Sequence, residues 1–189
     1  MGNYFKVFVF LFLFLFAASS SEILAKDLPS VKVKDLHNRV IDTKTFNNDG
    51  KPLIICFWAT WCKPCIEELK TYDEYYEEWQ EEYGIKIIAI SIDNSRSSRK
   101  VAPFVRGKDW QFDVFLDQNQ DFAKVMNVTN PPHTFIVNGN GKIVWSHIGF
   151  AVGDEEGLIE AYKKVLEQDA KEKSNGSNPE ESGEQNTNH

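Results

Sequence analysis

The chain has 189 residues, 42% of them apolar and 26% charged, and a net charge of −7. That length suits one domain, and the acidic balance excludes general nucleic-acid binding, which needs a basic surface to neutralise phosphates. Three cysteines are too few for a disulfide-dense small scaffold, and no apolar run reaches the roughly 18–20 residues of a membrane-spanning helix.

Residues Met1–Ala25 read as a secretory signal peptide. Lys6 is the only charge before Glu22, Val7–Ala18 is continuously apolar, and Ser19, Ser20 and Ser21 follow. Cleavage after Ser20 and after Ala25 both fit. An uncleaved anchor is the alternative, although the apolar run is short for one. Export implies an oxidising compartment, periplasmic or otherwise extracytoplasmic.

The domain is expected over residues 26–169. Val31, Val33 and Leu36, then Val40 and Ile41, suggest an N-terminal hairpin around His37–Asn38. Pro52–Ala59 is an almost unbroken apolar run and reads as a strand buried on both faces. A helix is predicted from about Cys62 to Tyr83, with Leu69, Tyr72, Tyr76, Trp79 and Tyr83 forming one stripe and Gly84 ending it. Ile85–Ile92 predicts a second buried strand, and Ser95 to about Val105 a helix. Phe112–Leu116 predicts a strand and Asp121–Met126 a short helix. Thr134–Val137 and Lys142–Ile148 flank a Gly/Asn turn and make a second hairpin. Asp154–Asp169 closes the domain as a helix, with Leu158, Ile159, Tyr162, Val165 and Leu166 inward. Ala170–His189 holds almost nothing apolar and is expected to be a disordered acidic, polar tail. The order of elements is α/β, with helices around a mixed central sheet.

Chemistry concentrates at Trp61-Cys62-Lys63-Pro64-Cys65, where the buried strand hands over to a helix. A Cys at a helix N-terminus has its thiolate favoured by unpaired N–H groups and the positive end of the helix dipole. Two intervening residues let the second Cys close a disulfide, and Pro64 suits the first helical turn. Half of a zinc site is one alternative, but Cys56 is the only other Cys, and His37, His133 and His147 are scattered. An inert structural disulfide is another.

The segment PLIICFWATWCKPCIEEL resembles the active-site strand and helix of thioredoxin-fold proteins, specifically the exported TlpA/ResA-like thiol–disulfide oxidoreductases. PPHTFIV followed by NGNGKIV resembles that family's cis-proline loop and last hairpin. The resemblance covers roughly Asp27 to Asp169. It implies a thioredoxin-like fold with an N-terminal β-hairpin and a central strand–helix insertion at Ser95–Lys108. It also implies no cofactor beyond a redox-active Cys62–Cys65 disulfide, disulfide-bonded or thiol proteins as substrates, and a membrane electron donor. Cys62 would attack, Cys65 would resolve, and Pro132 would be the cis-proline beside the sulfurs, with Pro131 offering its carbonyl to substrate. Trp61, Lys63, Pro64 and His133 would border the substrate. Glu68 matches a family glutamate and would move the proton of Cys65, although both Glu67 and Glu68 also suit a helix N-terminus as plain first-turn acids. Cys56 occupies the place of a buried Asp in ordinary thioredoxins and is expected to pack as a small hydrophobe. Arg96, Arg99, Lys100, Arg106 and Lys108 give the insertion a basic face, either solvated or docking an acidic partner. The expected reaction is reduction of periplasmic protein disulfides, with cytochrome c maturation or thiol rescue as pathways. A thiol peroxidase of the redoxin group and a non-enzymatic binding module are the rival readings.

Overall fold

The computed structural model describes residues 26–176. Residues Met1–Ala25, expected to be a signal peptide, and the last residues of the expected tail lie outside them. The strands are β1 (Lys26–Asp27), β2 (Lys32–Asp35), β3 (Val40–Asp42), β4 (Leu53–Trp58), β5 (Ile87–Ser91), β6 (Asp113–Leu116), β7 (His133–Val137) and β8 (Lys142–Ile148). The helices are α1 (Lys63–Tyr83), α2 (Val101–Lys108), α3 (Asp121–Val125) and α4 (Asp154–Gly176), with 3₁₀ turns at Thr43–Thr45 and Ser98–Lys100.

One mixed sheet runs in the order β1-β8-β7-β4-β5-β6-β2-β3. β4, β5 and β6 are parallel; β7 lies antiparallel to β4, and β2 antiparallel to β6. Central position explains why β4 reads as an unbroken apolar run: all six of its residues are buried. Side chains on its two faces meet different partners. Phe57 packs on Phe122 at 5.1 Å and on Phe135 at 5.8 Å. Trp58 points the other way, to Phe104 at 5.7 Å and Trp110 at 5.1 Å. Each such side chain contributes about 1.5–3 kcal/mol by leaving water.

The helix over Lys63–Tyr83 buries Leu69, Tyr72, Tyr76 and Trp79, four of the five predicted stripe residues, while Tyr83 is half-buried. Gly84 ends it at φ 66°, in the left-handed region that glycine enters without steric cost, and its N–H bonds to Gln80. The β2–β3 hairpin sits where expected, with Asn38 at φ 67° in its turn.

Several expectations need correction. The helix of the insertion, α2, starts later and ends later than predicted. Asn94 accounts for the late start, since its side chain accepts from the amides of Arg96 and Ser97 and holds a turn there. The two-residue strand β1, paired with β8, was not anticipated. The terminal helix does not stop at Asp169 but continues to Gly176, so residues 170–176 are helical rather than tail. Long-range contacts hold it: buried Asp169 accepts from the Gly139 amide at 2.7 Å, and the Lys173 ammonium reaches the Gly50 carbonyl. Gly139 is required there, because a Cβ would collide with the Gly50 carbonyl oxygen. No described helix is long and apolar enough to cross a membrane.

Candidate active site

The strand β4 delivers the chain through the core to Trp58, and a short turn brings it to the start of α1. In that turn the Cys62 amide bonds to the Ala59 carbonyl at 3.0 Å. Cys62 is the N-cap of α1, in extended geometry, and its sulfur accepts from the Cys65 amide at 3.3 Å. Pro64 occupies the first turn, where an amide hydrogen has no helical partner to lose. The two sulfurs are joined at 2.01 Å, with the Cα atoms 5.3 Å apart. Cys62 keeps 6% of its surface exposed whereas Cys65 has none, so of the two cysteines only Cys62 presents surface to a partner. Trp61 stands 61% exposed beside it, and Lys63 and Pro64 are exposed as well.

Glu68 lies one helical turn beyond Cys65 and is buried. Its Oε1 accepts from the Thr134 hydroxyl at 2.8 Å and from the Tyr72 hydroxyl at 3.1 Å, while Oε2 has no partner among the described residues. Burial pushes its pKa up to about 7; the two hydrogen bonds oppose this, and the charge of Asp154 adds to it. Thr134 faces Cys56 across the β4–β7 pair. Burial, then the nearby charge of Glu68, raises the Cys56 thiol well above its ordinary range, with a hydrogen bond to Thr134 opposing. Burial likewise raises Tyr72, and Glu68 adds to the effect. Cys56, Glu68, Tyr72 and Thr134 thus form one buried polar cluster, which α1 enters at Glu68, one helical turn after Cys65.

The peptide bond between Pro131 and Pro132 is cis. Pro132 is buried and its carbonyl accepts from the Gly149 amide at 2.8 Å; Pro131 is half-buried. His133, expected to border substrate, keeps 6% of its surface exposed, the same fraction as Cys62. It begins β7, its ring stacks on Phe135 with centroids 4.1 Å apart, and burial, then His147, lowers its pKa.

Two groups were missed from the sequence. Thr134 and Tyr72 supply the hydrogen bonds of Glu68, and both read as ordinary core positions. Asp93, with no exposed surface, accepts from the Thr60 amide and hydroxyl, each at 2.8 Å, and from the Ser91 hydroxyl at 3.0 Å. It ties the end of β5 to the turn carrying Cys62. Ser91 and Asp93 in an otherwise apolar run were the available signal, since a buried polar side chain needs partners. Among the described residues, no three or more His, Cys, Asp or Glu side chains come together in a way that could hold a metal ion.

A Cys-x-x-Cys disulfide capping a helix at the edge of this sheet defines a thioredoxin-fold thiol–disulfide oxidoreductase. The chain belongs to the AhpC/TSA family, whose model matches residues 24–146, and within it is of the TlpA/ResA type. It is 32% identical over 142 residues to the thiol-disulfide oxidoreductase ResA of Bacillus thuringiensis subsp. konkukian, covering 75% of this chain and 78% of that one. The solution structure of an uncharacterized thioredoxin-like protein from Porphyromonas gingivalis is 44% identical, with a TM-score of 0.67 over 75% of this chain and 92% of that one. A putative thiol:disulfide interchange protein DsbE from Chlorobium tepidum shares the fold, with a TM-score of 0.65 at 21% identity over 75% of this chain and 96% of that one.

Proposed function

We propose that this oxidoreductase is exported and reduces disulfides of extracytoplasmic proteins. In the reduced enzyme the Cys62 thiolate attacks one sulfur of a substrate disulfide; a mixed disulfide forms and the other substrate sulfur leaves as a thiolate. Cys65 then loses its proton to Glu68 and attacks the Cys62 sulfur. The second substrate thiolate departs, the Cys62–Cys65 disulfide forms, and the substrate has gained two electrons. A membrane electron donor restores the dithiol, because an oxidising compartment does not. Trp61, Pro64 and Pro131 form the rim on which an extended substrate segment lies, Pro131 through its carbonyl, with Lys63 beside the thiolate and Pro132 under the sulfurs.

The observation that carries this reading is the pairing of a reachable Cys62 with a sealed Cys65 and a buried carboxylate one turn along. Attack and resolution fall to different sulfurs, and a base with a pKa of about 7 exchanges protons readily near neutral pH. The deciding experiment is the equilibrium reduction potential of the Cys62–Cys65 pair in glutathione or dithiothreitol buffers. A value near or below about −270 mV is expected, as for thioredoxin, and a value near −120 mV would make the protein a disulfide donor. Rapid peroxide consumption that is lost in Cys62→Ser would move it to the thiol peroxidases, and failure to titrate would leave only a binding role.

A further inference from the structure

Between Asn94 and Lys108 the chain carries five cations and no carboxylate, in a protein of net charge −7. All five side chains are exposed. None pairs with a carboxylate among the described residues, where the ion pairs involve other lysines, one other arginine and one histidine. Lys108 instead lies over the Phe104 ring.

Geometry divides the five. β4 and β5 are parallel and Trp58 sits opposite Ser91, so the segment after Ser91 leaves the sheet at the edge that carries Cys62. The Ile92 amide bonds to the Trp58 carbonyl at 2.9 Å, and Asp93 holds Thr60. Arg96, Arg99 and Lys100 follow at once, in the turn that Asn94 organises. α2 joins two parallel strands and therefore runs back along the sheet. Its eight residues span about 12 Å, which carries Arg106 and Lys108 away from the redox edge.

We propose that the Arg96–Lys100 turn is a docking surface that selects protein substrates bearing acidic residues beside the disulfide to be exchanged. The inference rests on the oxidoreductase reading and names the partner class for that same site. A single exposed charge is screened over roughly 8 Å at physiological salt. Three charges of one sign, unpaired and fixed through Asp93 to the turn that presents Cys62, steer and orient an oppositely charged partner. The flanking surface sharpens the choice: α1 exposes Glu67, Glu74, Glu77 and Glu78, which turn an acidic segment away from that helix and toward the basic turn.

The test uses the full protein in its reduced form and three cystine peptides of equal length, with Glu, Ser or Lys flanking the disulfide. Second-order exchange rates are measured by stopped flow at increasing salt. The acidic peptide is expected to react on the order of tenfold faster than the neutral one at low salt, with the ratio falling as salt rises. In Arg96→Ser/Arg99→Ser/Lys100→Ser the ratio falls to about one, whereas Arg106→Ser/Lys108→Ser keeps it. Equal rates for acidic and neutral peptides in the unaltered protein overturn the inference while leaving the oxidoreductase reading intact. So does a ratio that survives the triple substitution. Binding to phosphatidylglycerol vesicles that the triple variant loses, with no peptide preference, assigns the turn to a lipid surface and overturns it too. Absence of exchange with all three peptides overturns both readings.

Discussion

At the scale of single residues, the carboxyl of Glu68 is the group on which the chemistry and the stability of this protein meet. Its burial favours the neutral acid, so the folded protein keeps the proton up to a pH of about 7, whereas an unfolded chain releases it near 4.5. Below pH 4.5 both states are protonated and nothing is lost. As pH rises from 4.5 to 7 the unfolded state ionises first, and stability falls; above 7 the loss is complete and constant. A shift of this size corresponds to roughly 3 kcal/mol. Urea unfolding of the oxidised protein and of Glu68→Gln at pH 4 and pH 8 isolates the contribution. The difference between the two proteins is expected to move by roughly that amount against the wild type, and a difference independent of pH would show that Glu68 is not desolvated. The same substitution removes the proposed acceptor for the Cys65 proton, so mixed disulfides formed on Cys62 should accumulate, as mass spectrometry of quenched reactions would register.

At the scale of elements, the redox turn depends on a tie between two strand ends rather than on the helix alone. Asp93 accepts three hydrogen bonds at the end of β5, two of them from Thr60. In Asp93→Ala the half-buried Thr60 donors and the buried Ser91 hydroxyl lose their acceptor, which costs about 2–3 kcal/mol. The Thr60 amide should then exchange its hydrogen much faster, and Asp93→Asn, with one acceptor oxygen left, should fall between. Unchanged exchange at Thr60 in Asp93→Ala would mean that the turn is held by its own Cys62–Ala59 bond. The contrast with β4 and α1 shows what can be read in advance. A six-residue apolar strand and a helical stripe are patterns of neighbouring residues, and both were legible. Asp93 finds its partner 33 residues away, Glu68 finds Thr134 at a separation of 66, and Lys173 finds Gly50 at 123. No local period records such pairings, so the latch, the partners of Glu68 and the last turns of α4 emerged only with the fold. His133 belongs with them: its place next to Pro132 was legible, whereas the stacking of its ring on Phe135 emerged only with the fold.

At the scale of the whole molecule, the sheet is closed at both ends by contacts that lie within residues 26–176. β1 covers β8 at one end, with Lys26 opposite Ile143, and the β2–β3 hairpin extends β6 at the other. α4 then crosses from the redox edge to the far loops. Its Tyr162 hydroxyl bonds to the Pro52 carbonyl at the entry to β4, and Asp169 and Lys173 fasten the loops around Gly139 and Gly50. The strand that supplies the redox turn is therefore anchored at its start by the terminal helix and at its end by Asp93. A chain of residues 26–176 is expected to fold with the same cooperativity and the same reduction potential as the full sequence, whereas one ending at Asp169 loses the Lys173–Gly50 contact and melts earlier. Because Lys173 is exposed, that loss should be small, about 1 kcal/mol. The potential should not follow it, since the contact lies at the edge of the sheet away from Cys62. Thermal melts and redox titrations of the two truncated chains separate the two effects. A shifted potential in the 26–176 chain would show that residues beyond the described fold reach the sulfurs, and equal melting of both chains would remove the last turns of α4 from the structural core.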